Sequence, residues 1–145
     1  MTAIKIKGHI KIISRDIMTN EIIETIEKDN LIVTTGYGLL ADVLTGNSAI
    51  AYCGVGSGTT AAAIGNTDLE TAVGSRKPVT TAARSGAIAL FSTFFSSAEN
   101  NGTWNESVLS TTETGDIINR AVLDTPFVKS SSKTAQVDWT IEVMI

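Results

Sequence analysis

Two stretches of period-two alternation, one at each end of the chain, constrain its fold more than any other feature. In residues 3–13, Ile4, Ile6, Ile10 and Ile12 fall on one face and Lys5, Lys7, His9 and Lys11 on the other. In residues 135–145, Val137, Trp139, Ile141, Val143 and Ile145 alternate with Gln136, Asp138, Thr140 and Glu142. Successive side chains of a strand point to opposite faces, so each pattern predicts a half-buried strand. The apolar residues of the second stretch further predict that it is tied into a sheet.

Between these strands the punctuation is mostly that of β structure. Thr19-Asn20 reads as a hairpin turn, because Asn tolerates positive φ. Residues 21–33 return as a second strand whose Glu21, Glu27 and Asp29 oppose the lysine row across the hairpin. This N-terminal hairpin, residues 3–33, is a candidate interaction arm. Thr34-Thr35 then reads as the cap of a helix over residues 36–45, with Leu39, Leu40, Val43 and Leu44 in one apolar stripe and Gly46 as its C-terminal stop. Residues 49–55 suit a buried strand, and Pro78 predicts an edge position for residues 76–81. Residues 86–96 carry apolar side chains on both faces, which predicts a central strand or one at an interface. Asn100-Asn101-Gly102 predicts a hairpin turn, followed by strands at 104–110 and 117–123 and a turn at Pro126. The sum is a mainly β chain: one domain over residues 1–145, an antiparallel β-sandwich or barrel of about seven or eight strands with one short helix.

Composition narrows the function classes. Only 18% of residues are charged and the net charge is −4, so the clustered cations that nucleic acid requires are missing. No run approaches the length of a membrane span, and residues 1–13 lack the apolar core of a secretory signal. The expectation is a protein that binds neither nucleic acid nor membrane.

The stretch Tyr52-Cys-Gly-Val-Gly-Ser-Gly-Thr-Thr60 invites a phosphate-binding reading, which its details oppose. The spacing is G-x-G-x-G, Thr59 stands where a dinucleotide loop has its third glycine, and no Lys or Arg occurs between Val33 and Gly74. Gly54, Gly56 and Gly58 are therefore expected to let a strand bend or leave a sheet, with Gly56 in a conformation that only glycine reaches easily. Thr67-Asp-Leu-Glu70 has the pattern of a helix capping box. His9 is the one histidine and lies on a polar strand face, and Cys53 sits in an apolar run. Neither has a catalytic partner near in sequence. Glu99, Glu106, Glu113 and Asp116 share a polar region, and paired carboxylates there would be the minimum for glycoside hydrolysis. The expectation is no catalytic, metal or cofactor residues; a wall-degrading or nucleotide-binding enzyme is the remote alternative.

The blocks of this chain, in order, resemble a family of small virion structural proteins of tailed bacteriophages. They are Asn30-Leu-Ile-Val-Thr-Thr-Gly-Tyr-Gly-Leu-Leu-Ala-Asp-Val-Leu44, the glycine centre from Tyr52 to Thr60 with Asp68-Leu69 and Arg76-Lys77, then Phe91 to Asn105-Glu106, Gly115-Asp-Ile-Ile-Asn-Arg120 and Val137-Asp-Trp-Thr-Ile141. The resemblance implies a non-catalytic component of the virion, made in the host bacterial cytoplasm. With a small, weakly charged β domain, it points first to a capsid decoration (cement) protein, a homotrimer bound to the major capsid protein. A tail, tail-fibre or baseplate component is the alternative. The surfaces expected to meet a neighbouring subunit or the particle are Ile4, Ile6, Ile10 and Ile12 on the first strand, and Phe91, Phe94 and Phe95.

Overall fold

The computed structural model describes residues 5–144, so the expectations for Ile4 and Ile145 lie outside the described residues. In chain order the elements are β1 (Lys5–Asp16), β2 (Ile22–Ile32), α1 (Thr34–Leu44), β3 (Tyr52–Gly56) and β4 (Lys77–Pro78). There follow β5 (Thr81–Ser85), β6 (Ile88–Phe95), β7 (Gly102–Ser110), β8 (Asn119–Lys129) and β9 (Lys133–Met144). The nine strands form one sheet in the order β4-β3-β7-β8-β2-β1-β9-β6-β5, and all its pairings are antiparallel. The fold is thus mainly β with one short helix, as the alternation predicts.

The two alternating stretches are neighbours at the middle of the sheet. β1 pairs with β9 from Lys5↔Met144 to Asp16↔Lys133, and with β2 from Gly8↔Asn30 to Arg15↔Ile22. The N-terminal hairpin is therefore no free arm, because β1 has a partner on both sides. Its isoleucines, with the apolar residues of β9, supply the interior: Ile10, Ile12, Val137 and Trp139 are all buried.

The sheet curls until its two edges meet. The strands β4 and β5 are almost one run of chain, which changes partner midway. Lys77 and Pro78 pair with β3, and Val79 N–H donates to Ala51 O at 2.8 Å. Thr80 N–H then donates to Ser92 O at 2.7 Å, and Thr81 to Ser85 pair with β6. Pro78 thus sits at a seam, where a missing N–H is tolerated. Curling brings Cys53 and Val55 of β3 into one core with Phe95, Trp104, Phe127 and Trp139. Trp104 lies between Phe95 and Phe127, with ring centroids 5.0 and 5.1 Å away in edge-on and tilted contacts respectively.

Several sequence expectations need correction. The helix is α1, beginning two residues earlier, with Val33 as its extended N-cap; neither threonine caps it, and the Thr35 hydroxyl donates to Ile117 O at 2.9 Å. Its C-terminus behaves as expected: Gly46 has φ of 80°, while Gly46 and Asn47 N–H donate to Val43 and Asp42 O. No helix starts at Thr67-Asp-Leu-Glu70; this segment is loop. The β5 strand has no apolar alternation and is exposed throughout, so it left no sequence signal, and Gly86 turns the chain into β6 at φ of 58°. Asn100 and Gly102 do make a turn with positive φ, but it crosses from β6 to β7, which are not paired. Pro126 lies inside β8, within a bulge where residues 123–126 stand opposite Asn105 alone and no ladder donor is needed.

Candidate functional site

The glycine stretch and a cleft beside it form the most elaborate polar region of the molecule. The β2–β8 ladder consists of Leu31↔Arg120 and Ile32↔Asn119; beyond these pairs no backbone ladder joins the two strands. Residues of the loop after β3 lie against the opening. The resulting cleft, of about 470 Å³, is lined by Lys28, Asn30, Thr59, Arg120, Val122 and Asp124, among others. Lys28 Nζ donates to Asp124 Oδ1 at 2.6 Å beside it. Asn30 and Arg120 each keep buried polar atoms with no protein partner: the Asn30 amide and Arg120 Nη2.

Behind the cleft a buried carboxylate organises the loop. Glu106 on β7 is fully buried and accepts hydrogen bonds from Gly58 N–H at 2.7 Å, Glu70 N–H at 2.8 Å and Thr71 N–H at 2.9 Å. Arg120 Nε on β8 donates to it at 3.0 Å, and Arg120 Nη1 reaches Thr60 O at 2.9 Å and Asn66 Oδ1 at 3.2 Å. The glycines follow from this packing. A Cβ on Gly56 would overlap the Thr71 carbonyl and lie 2.7 Å from Glu106 Oε2, and one on Gly58 would lie 2.7 Å from Glu70 Oε1. Neither residue has positive φ. Close approach, not a special backbone conformation, is therefore what demands glycine there. Glu70 ties the loop from outside by accepting from Thr59 and Thr60 N–H and from the Thr60 hydroxyl. These bonds, the hydroxyl's first, hold its carboxyl below the usual value.

The other titratable side chains are used in the same way. Arg76 is buried and donates to Asp68, to Gly115 O at 2.7 Å and to Thr112 O at 3.2 Å, fastening the loop after β7. Lys129 is buried and donates to Ser96 O at 2.7 Å and Asn101 Oδ1 at 2.8 Å, and burial pushes its pKa down. Glu99 pairs with Lys77 and caps Ser96 N–H at 2.9 Å. Glu113 and Asp116 are exposed. The four carboxylates considered for glycoside hydrolysis are thus dispersed, with Glu106 sealed inside. Burial raises the Cys53 thiol to about 11, well outside the range of a reactive thiolate. Among the described residues, no group of three or more His, Cys, Asp or Glu side chains is placed to hold a metal ion.

His9 lies on the outer face of β1, where Nδ1 meets Asp29 Oδ1 at 2.8 Å and Nε2 meets Glu27 Oε1 at 3.2 Å. Lys7 stands 3.7 Å from the other Asp29 oxygen. This is the cross-strand pairing of basic and acidic rows that the sequence suggests. The Asp29 hydrogen bond chiefly raises the His9 pKa above 6.5, and the same bond lowers that of Asp29. The histidine contribution to stability is therefore complete below about pH 6.5 and lost as pH rises through the raised value. The aspartate contribution runs oppositely and is lost as pH falls through its lowered value. We expect Asp29→Asn to move the His9 titration, followed by NMR, back toward 6.5. The melting temperature lost by this variant should be larger near pH 5.5 than at about pH 8. An unchanged histidine titration would contradict the assignment.

The residues expected to make assembly contacts are mostly inside the molecule. Ile10, Ile12 and Phe95 are core residues, and Ile6 and Phe91 are partly buried against that core. Of those among the described residues, only Phe94 is largely exposed. Other exposed apolar side chains include Ile17, Met18, Ile22 and Ile23 around the β1–β2 turn, Leu44, Ile88 and Val143 near the far end of the sheet, and the scattered Tyr37, Ile64 and Val128. One local signal marks the first group, since the Ile22-Ile23 doublet breaks the alternation and leaves an apolar residue on each face. No helix among the described residues is long and apolar enough to cross a membrane. Comparison with family models, with curated proteins and with solved structures finds no match for this chain.

Proposed function

We propose that the protein is a non-enzymatic structural component of a tailed-phage virion, a capsid decoration protein seated on the outside of the head as a homotrimer against the major capsid protein. The observation that carries this reading is the use made of the polar side chains. Glu106, Arg120 and Lys129 fasten loops to the sheet, and Arg76 and Glu70 fasten loop segments to one another, which yields a rigid outline with apolar side chains left at its ends. A rigid outline lowers the ordering cost of binding, which is what a protein whose role is buried area requires. The order of sequence blocks resembling virion proteins supports the same assignment. Such a protein stabilises a shell by mass action: at ~100 times its dissociation constant it contributes about 2.7 kcal/mol per site.

The test is to locate the protein on the particle by labelled antibody in electron microscopy and to count its copies. Copies spread over the head surface in the hundreds are expected. A few copies confined to the tail would replace this reading with a tail or baseplate role, and absence from particles would end both.

A further inference from the structure

Two apolar features lie at opposite ends of the sheet, and each leaves large side chains exposed. At one end α1, the β5–β6 hairpin and the end of β9 enclose a groove of about 360 Å³, lined by Leu40, Leu44, Ile88, Phe91, Ile141 and Val143, among others. Leu44, on its rim, is 87% exposed. At the other end the β1–β2 turn carries Ile17, Met18, Ile22 and Ile23, and Met18 is 89% exposed. Along β1, Ile6 stands opposite Val143 at the groove end and Asp16 opposite Lys133 at the turn end. Ten residues of strand separate these points, about 33 Å. The turn cannot reach the groove of its own chain.

Charge distinguishes what would fill the groove. Arg84 lines it, is exposed, and makes no ion pair among the described residues. Glu21 and Glu24 flank the apolar turn, and they too make none. Two grooves meeting face to face would set Arg84 against Arg84 and leave the turn uncovered. At ordinary packing density the groove has room for about two large aliphatic side chains. We propose that the β1–β2 turn of one copy seats in the groove of a second copy, with Met18 and Ile22 inserted and Glu21 and Glu24 beside Arg84. The contact is head to tail, so it closes as a ring if the rotation allows, and a homotrimer is one such ring. It rests on the self-assembly part of the reading above and not on attachment to a particle.

The full chain is compared with a turn variant, Met18→Glu with Ile22→Glu, and a groove variant, Leu44→Glu with Val143→Glu. All four positions are exposed, and circular dichroism and melting establish that each variant is folded. In sedimentation at about 100 μM the wild-type chain should self-associate and each variant should be monomeric. An equal mixture of the two variants should form a dimer and go no further, because one intact turn then meets one intact groove. Arg84→Glu should weaken self-association about tenfold, and a partner carrying Glu21→Lys and Glu24→Lys should recover it. A monomeric wild-type chain, either variant assembling like wild type, or folded variants that do not pair when mixed would each overturn the contact. None of these results bears on whether labelled protein is found on the phage head, so the two readings fail separately.

Discussion

Replacing Glu106 with alanine is expected to cost about 3–5 kcal/mol, the usual penalty for breaking a buried, hydrogen-bonded ion pair. The change leaves the Arg120 guanidinium buried beside Gly58, Glu70 and Thr71 N–H groups that have lost their acceptor. For a chain of this size each kcal/mol corresponds to roughly 2–4 °C, so the melting temperature should fall by on the order of ten degrees. Hydrogen exchange should rise first in residues 57–71, the segment that Glu106 holds. Adding Arg120→Met should restore part of the loss, because the second change removes the stranded charge. Glu113→Ala, at an exposed loop position, serves as the control and should leave stability within about 0.5 kcal/mol of wild type. A Glu106→Ala protein that melts within two or three degrees of wild type would show that the loop is not held through this carboxylate.

In α1, replacing Gly36 and Gly38 with alanine should have effects of opposite sign. Alanine is the better helix former by about 1 kcal/mol, so propensity alone predicts that both changes stabilise. Gly36, however, is buried where the helix crosses β8's entry, and a Cβ there would overlap the backbone carbonyl of Ile118. Backbone cannot rotate away as a side chain can. Gly36→Ala should therefore destabilise by about 1–3 kcal/mol, the cost of overpacking. At Gly38 a Cβ meets nothing within 4 Å and φ is not positive, so Gly38→Ala should stabilise by about 0.5–1 kcal/mol. Paired chemical denaturation curves measure both. Equal effects of either sign would mean that α1 is not seated through Gly36.

The division between what the chain states locally and what folding decides is clear in these residues. Alternation identified β1, β6 and β9 and which of their side chains share a face. The apolar stripe and Gly46 identified α1 and its end, and Asn20 and Asn100 marked turns where positive φ is indeed found, at 61° and 50°. All of these are signals within a few residues, set by the geometry of a strand, a helical turn or a single backbone angle. Alternation does not say where a shared face will point once a sheet curls. Ile10 and Ile12 of β1, which look available for contact in a flat hairpin, are core because the curled sheet gathers them into one cluster with Cys53 and Val55 of β3. Nor could spacing reveal the role of the glycine stretch, since Gly58 and its acceptor Glu106 are 48 residues apart. The seam from Lys77 to Thr81 and the placement of turn and groove at opposite ends depend likewise on partners distant in sequence. The chain alone determined its helix and its alternating strands; only closure of the sheet decided where β5 and the far half of β8 would pair, which apolar residues became core, which carboxylate became buried, and which surface was left for a neighbour.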